Sequence, residues 1–109
     1  MSGEETRQAQ LMTLNQVVDY QAGAVVSKTL VDKKIGTITV FAFAAEQGLS
    51  EHTAPFDAVV QVIDGEAKVT VAGKDYQVAA GQMIIMPANQ PHALRAEQPF
   101  KMVLVMIRA

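Results

Sequence analysis

The chain contains no cysteine. Disulfides, thiolate nucleophiles and cysteine-based zinc or iron–sulfur centres are excluded together. Histidine is nearly as scarce, with two in 109 residues, His52 and His92. Charge is thin as well: nine Lys or Arg against eleven Asp or Glu leave a formal net charge of −2. The basic residues are scattered singly apart from Lys33-Lys34. No basic stripe is available to neutralise phosphates, so nucleic acid is not an expected partner. Apolar runs fall far short of the ~20 residues of a membrane span, and no membrane partner is expected. The opening stretch MSGEETRQAQL is polar and acidic where a secretory leader would be charged and then apolar. A cytoplasmic protein is the expectation.

Apolar residues are plentiful by contrast, at 50% of the chain. A single domain of this length hides roughly two-thirds of its unfolded surface. Residues 1–9 are polar and without periodicity, and read as a disordered N-terminal tail. Residues 10–109 read as one barrel domain. In TLNQVVDY, Thr13 and Gln16 have capping-box spacing, which predicts one short helical turn with Leu14, Val17 and Val18 turned inward.

From Ala24 onward the pattern is that of strands. AVVSKTL, IGTITVFAF, AVVQVID, EAKVTVA, KDYQVA, MIIMP, HALRAE and FKMVLVMIR are short, mostly alternating, and rich in Val, Ile, Thr and aromatics. In EAKVTVA the alternation puts Ala67, Val69 and Val71 on one face. Turn signals separate the strands, and Asp64-Gly65 between two apolar runs is the strongest hairpin signal among them. About eight or nine strands with almost no helix predict an all-β sandwich or barrel of antiparallel sheets.

Two spaced motifs sharpen this. Counting back from Gly65, a glycine–His-x-His–Glu–glycine pattern puts His52 and Ala54 at its histidines and Ala58 at its glutamate, with Gly48 a loose match to its opening glycine. The second pattern runs Gly81, QMIIM, Pro87, Asn89 where glycine is usual, His92, and Ala96 where asparagine is usual. Over roughly Val26 to Arg108 the chain resembles the cupin family. The resemblance implies a double-stranded β-helix, or jelly-roll, barrel. It also implies a site of three histidines and one glutamate for a divalent transition metal (Zn, Fe, Ni, Cu or Mn). Only His52 and His92 carry over onto that metal site. Asn89 in place of glycine is a mild change, since Asn tolerates a left-handed turn.

Two imidazoles alone are a short ligand set, because catalytic zinc generally takes three protein ligands. Asp57, beside the lost glutamate, is the candidate third ligand. It is weighed against an outward carboxylate making a turn or interface contact, and the outward reading is favoured. Parity from Ala58 sends Val60 and Val62 inward and Gln61 outward; Arg95 faces out, and Glu51 reads as a solvated loop residue. Phe56, Met86, Leu94, Met102 and Leu104 are the candidate pocket residues, each weighed against simple core packing.

Three readings of the histidine pair follow: a metal site completed by water or ligand, a metal-free pair for ligand binding or acid–base work, and buried structural histidines. The expected function is binding of a small molecule at an incomplete, metal-capable site. The alternatives are a metal-dependent enzyme of isomerase, dioxygenase or decarboxylase type, and a structural or interaction module. A homodimer is expected through outer strand faces carrying Val59/Gln61/Ile63 and Val103/Val105/Ile107.

Overall fold

The structure, a computed structural model, describes residues 8–108. The tail expected over residues 1–9 therefore falls mostly outside the described residues. A single 3₁₀ turn, Leu14–Gln16, precedes nine strands: β1 (Val25–Lys33), β2 (Gly36–Phe43), β3 (Gly48–His52), β4 (Phe56–Asp64), β5 (Glu66–Val71), β6 (Lys74–Ala79), β7 (Met83–Met86), β8 (His92–Arg95) and β9 (Phe100–Arg108). They form a five-stranded sheet in the order β1-β2-β9-β4-β7 and a four-stranded sheet in the order β3-β8-β5-β6. All strand pairs are antiparallel. This is the expected all-β jelly-roll barrel.

Alternation decides what goes inside. Ala58, Val60 and Val62 from β4 and Ala67, Val69 and Val71 from β5 are buried, as the period-2 pattern requires. They meet Phe43, Met86, Leu94, Phe100 and Met102 in one core between the sheets. Phe43 and Phe100 stack at 4.6 Å between ring centroids and are both fully buried. Each such ring stabilises the fold by about 1.5–3 kcal/mol through burial, before the stacking term is added.

Asp64-Gly65 is not a hairpin. β4 pairs with β7 and β9, whereas β5 pairs with β6 and β8, so the chain crosses from one sheet to the other at this point. Gly65 has φ +74°, and a Cβ there would run into the Pro99 carbonyl and Phe100. Dihedral freedom and close approach, the properties that make Asp-Gly a hairpin signal, serve a sheet-to-sheet corner equally well. The tight hairpin of this region lies instead at Ala72-Gly73, both at positive φ, between β5 and β6. The second motif's Asn89 adopts φ +66°, the left-handed conformation expected of a glycine substitute.

The outer face of the five-stranded sheet is partly covered by the chain's own N-terminal segment. Val18 packs with Val40, Ala42 and Val103, and all four are buried. Leu14 is exposed rather than turned inward. The capping box is not formed either: Thr13 makes no side-chain cap, and the turn closes through Gln16 N–H to the Thr13 carbonyl at 2.9 Å. Polar contacts fasten the segment down. The buried Lys101 ammonium donates to the Asn15 carbonyl at 2.6 Å and lies 4.9 Å from the Tyr20 ring centroid. Tyr20 hydroxyl donates to Asp64 Oδ2 at 2.5 Å. Of the face expected to pair two copies, Val103 is thus covered, while Ile107 stays exposed. Met83 and Ile85 on β7 are surface residues as well.

Partial burial, the Asp64 hydrogen bond and the Asp64 charge together hold the Tyr20 phenol above the ordinary tyrosine range. The folded chain keeps this proton more tightly than the unfolded chain. Its stabilising contribution is therefore complete below about pH 10 and is lost as pH rises through the folded value. Tyr20→Phe is expected to cost about 1 kcal/mol at neutral pH. Above pH ~10, denaturant midpoints should fall more steeply for the wild type than for the variant; parallel curves would contradict the Tyr20–Asp64 clamp.

Candidate functional site

His52 ends β3 and His92 begins β8, and their Cα positions are direct cross-strand partners. Plain alternation from the inward Leu49 would turn residue 51 inward and His52 outward. A β-bulge prevents this. Leu49 pairs with Leu94 and His52 with His92, so β3 spends three steps where β8 spends two. The extra residue returns His52 to the face of His92, and the rings meet edge-on with centroids 4.4 Å apart. His92 is 7% exposed and His52 is open to solvent, so the pair spans from barrel interior to mouth.

Backbone carbonyls orient both rings. His52 Nδ1 donates to the Ser50 carbonyl at 2.7 Å, and His92 Nδ1 donates to the Gln90 carbonyl at 3.1 Å. A carbonyl only accepts, so Nδ1 carries the proton in each neutral ring. Both Nε2 atoms are left as lone-pair nitrogens, free to take a ligand's proton donor or a metal ion. Each bond runs to the residue two positions earlier, so the strand ends themselves set the tautomers.

Asp57 takes the outward place. β4 runs from Phe56 with unbroken pairing to β9 at this end, Asp57 opposite Ile107 and Ala58 opposite Met106, so no bulge turns Asp57 inward. Its Oδ1 accepts the Ala88 N–H at 2.9 Å. In this position it holds the loop between β7 and β8 that leads to His92. Asn89 N–H to the Ala54 carbonyl, at 2.8 Å, ties the same loop to the one following His52. Ala58, at the glutamate position of the first motif, is 2% exposed and faces the interior. Among the described residues, no three His, Cys, Asp or Glu side chains come together to hold a metal ion. The donors present therefore do not fit a three-histidine, one-glutamate centre.

The candidate pocket residues separate by depth. Met86, Leu94 and Met102 are core, at 1%, 5% and 0% exposure. Leu104 and Met106 are half-buried beside that core. Phe56 is half-buried, with the Arg108 guanidinium 5.7 Å from its ring centroid. Gln61, Arg95 and Glu51 are exposed, as expected. A different groove, about 420 Å³, lies over β3, β8, β5 and β6 and is lined by Gly48, Ser50, Lys68, Asp75 and Arg95 among others. Its Asp75 is already engaged, by Lys68 at 3.7 Å and by the Thr70 hydroxyl at 2.7 Å. No sequence signal pointed to it, because its residues come from separate strands.

Residues 39–108 match the family model described as the cupin domain. The chain belongs to the cupin family. Among solved structures, this cupin is similar to a conserved protein of unknown function from Streptococcus pyogenes, with 38% identity and a TM-score of 0.89; the match covers 94% of this chain and 90% of that one. It is also similar to a cupin 2 conserved barrel domain protein from Leptotrichia buccalis, with 44% identity and a TM-score of 0.87 over 89% of this chain. That match covers 47% of the Leptotrichia chain, so this cupin spans about half its length. A cupin superfamily protein from Desulfitobacterium hafniense, 22% identical with a TM-score of 0.87 over 94% of each chain, shares the fold. No curated protein matches the sequence. Among the described residues, no helix is long and apolar enough to cross a membrane.

If Asp57 is a loop holder and not a ligand, Asp57→Ala should lower stability by about 1 kcal/mol and shift the His92 imidazole resonances. Asp57→Asn keeps an acceptor and should do much less. Denaturant unfolding and NMR of the two variants check this; an unchanged stability combined with altered divalent-metal content would make Asp57 a ligand after all.

Proposed function

We propose that this cupin binds a small hydroxylic organic molecule at the barrel mouth through the His52–His92 pair, without a complete divalent-metal centre. The observation that carries the reading is the commitment of both Nδ1 atoms to backbone carbonyls. It leaves two Nε2 acceptors on rings whose centroids lie 4.4 Å apart, and a ligand that brings its own O–H donors satisfies them. Val71, the direct cross-strand partner of His92, offers apolar surface beside the ring for the carbon frame of such a ligand. Small-molecule sites commonly combine apolar surface with a few convergent polar groups. The missing acid at Ala58 and the outward Asp57 weigh against the metal-dependent enzyme.

Catechol is a suitable probe, having two adjacent hydroxyls on an apolar ring. Titrated into untagged protein, it should shift both imidazole signals in NMR spectra, and His52→Ala/His92→Ala should abolish the response. Elemental analysis after incubation with zinc, iron, nickel or manganese and desalting should show well under one equivalent bound. Catechol binding that survives in the double variant would overturn the proposal. One equivalent of divalent metal, lost in that variant, would overturn it in favour of the metal-dependent enzyme.

A further inference from the structure

The groove over β3, β8, β5 and β6 lies on the outer side of the four-stranded sheet, away from the barrel interior. On β8, His92 and Leu94 are buried, so alternation turns Ala93 and Arg95 to the other face. On β5, Val69 and Val71 are buried, and Lys68 and Thr70 turn outward in the same way. Register lays these outward residues in two rows. One runs Gly48, Arg95, Lys68 across β3, β8 and β5. The next runs Ala93, Thr70, Asp75 across β8, β5 and β6. Gly48 and Ala93 carry little or no side chain, which leaves a hollow of about 420 Å³ between the longer ones. Small-molecule sites span about 300–1,000 Å³.

The charges of this hollow are unbalanced. Lys68 and Arg95 are direct cross-strand partners, and like charges so placed repel. The Lys68 ammonium lies 3.7 Å from Asp75 Oδ2, and the Thr70 hydroxyl donates to Oδ1 of the same carboxylate at 2.7 Å. One carboxylate thus serves two neighbours. Arg95 makes no salt bridge and no side-chain hydrogen bond among the described residues. Two cations, one aspartate and no glutamate line the groove, a net +1 spot on a chain of net charge −2. A guanidinium is a planar fork of donors that takes the oxygens of a carboxylate or phosphate two at a time. Asp75 decides between these anions. A carboxylate brings the groove to neutrality, whereas a phosphate near neutral pH carries more than one charge and meets Asp75 as a like charge. Ser50 brings a hydroxyl to the same lining.

We infer that this outer groove binds the carboxylate of a small organic acid, with Arg95 as its bidentate partner and Lys68 as the second cation. Asp75 sets the preference for a single negative charge. The site faces away from the histidine pair and does not depend on the reading given to that pair. Propionate is the probe, since it has a carboxylate and no hydroxyl to offer the imidazoles. It is titrated into untagged protein at neutral pH and followed by NMR of the backbone amides and the Arg95 guanidinium. Exposed ionic contacts are screened by salt, so each point is matched by the same concentration of chloride. Saturable shifts centred on Gly48, Ser50, Lys68 and Arg95 are expected, and they should persist in His52→Ala/His92→Ala. Hydrogen bonds between charged partners are the strong ones, so Arg95→Gln should weaken propionate by about tenfold or more. Arg95→Lys keeps the charge without the fork and should restore only part of the loss. Asp75→Asn should narrow the preference for propionate over inorganic phosphate. Shifts that chloride reproduces, or an affinity unchanged by Arg95→Gln, overturn the inference. Phosphate binding more tightly than propionate to the wild type overturns the carboxylate assignment. A propionate response lost in the histidine variant would move the ligand to the barrel mouth and overturn the outer site.

Discussion

Between Leu49 and His52, β3 advances three residues while β8 advances two, and the chemistry of this barrel end follows from that mismatch. Register in a sheet is unforgiving because the side-chain period is two: one slipped residue moves a side chain to the opposite face. Without the extra residue, His52 would point to solvent and His92 would be a solitary core histidine. With it, two rings share one side of the sheet at 4.4 Å. The bulge also keeps the Ser50 carbonyl within reach of His52 Nδ1. One local irregularity therefore sets both the position and the tautomer of the exposed ring.

The opposite wall makes this site different in kind from a carboxylate-bearing one. Ala58 contributes no charge, and the carboxylate next to it in sequence, Asp57, is turned outward to brace the loop before His92. Burying a carboxylate at position 58 without a cation to meet it would be costly. The small apolar residue there leaves that part of the inner face without a charge. Loop bracing extends further, since Asn89 meets Ala54 and Pro91 meets Ala72 through backbone hydrogen bonds at 2.8 Å. Both histidines consequently sit at strand ends that are tied to their surroundings on more than one side.

Much of the architecture was legible in the sequence because alternation is a direct consequence of strand geometry. Parity assigns Ala58/Val60/Val62 inward and Ala67/Val69/Val71 to a single face, and all six are buried. Asn89 was expected to take a glycine's left-handed conformation and does. β3 could not be found by periodicity: GLSEH has one apolar residue, lies at the edge of its sheet, and is mostly exposed. Only the motif resemblance located its histidine. Asp64-Gly65 misled for a different reason. A turn dipeptide specifies dihedrals, whereas the choice between hairpin and sheet crossing depends on partners distant in sequence. The N-terminal clamp was likewise invisible, because Tyr20, Asp64 and Lys101 meet only through tertiary packing. The bulge itself has no signature in SEH, and no reading of residues 49–52 alone would predict it.

Imidazole nitrogen NMR on untagged protein at mildly alkaline pH tests the central claim most directly. Long-range proton–nitrogen correlations report which ring nitrogen of a neutral histidine carries the proton. The structure predicts Nδ1–H for both His52 and His92, with unprotonated Nε2 in each and contacts between the two rings in nuclear Overhauser spectra. Nε2–H tautomers, or rings without mutual contacts, would mean that the paired acceptors do not exist in solution and that the proposed site has no foundation.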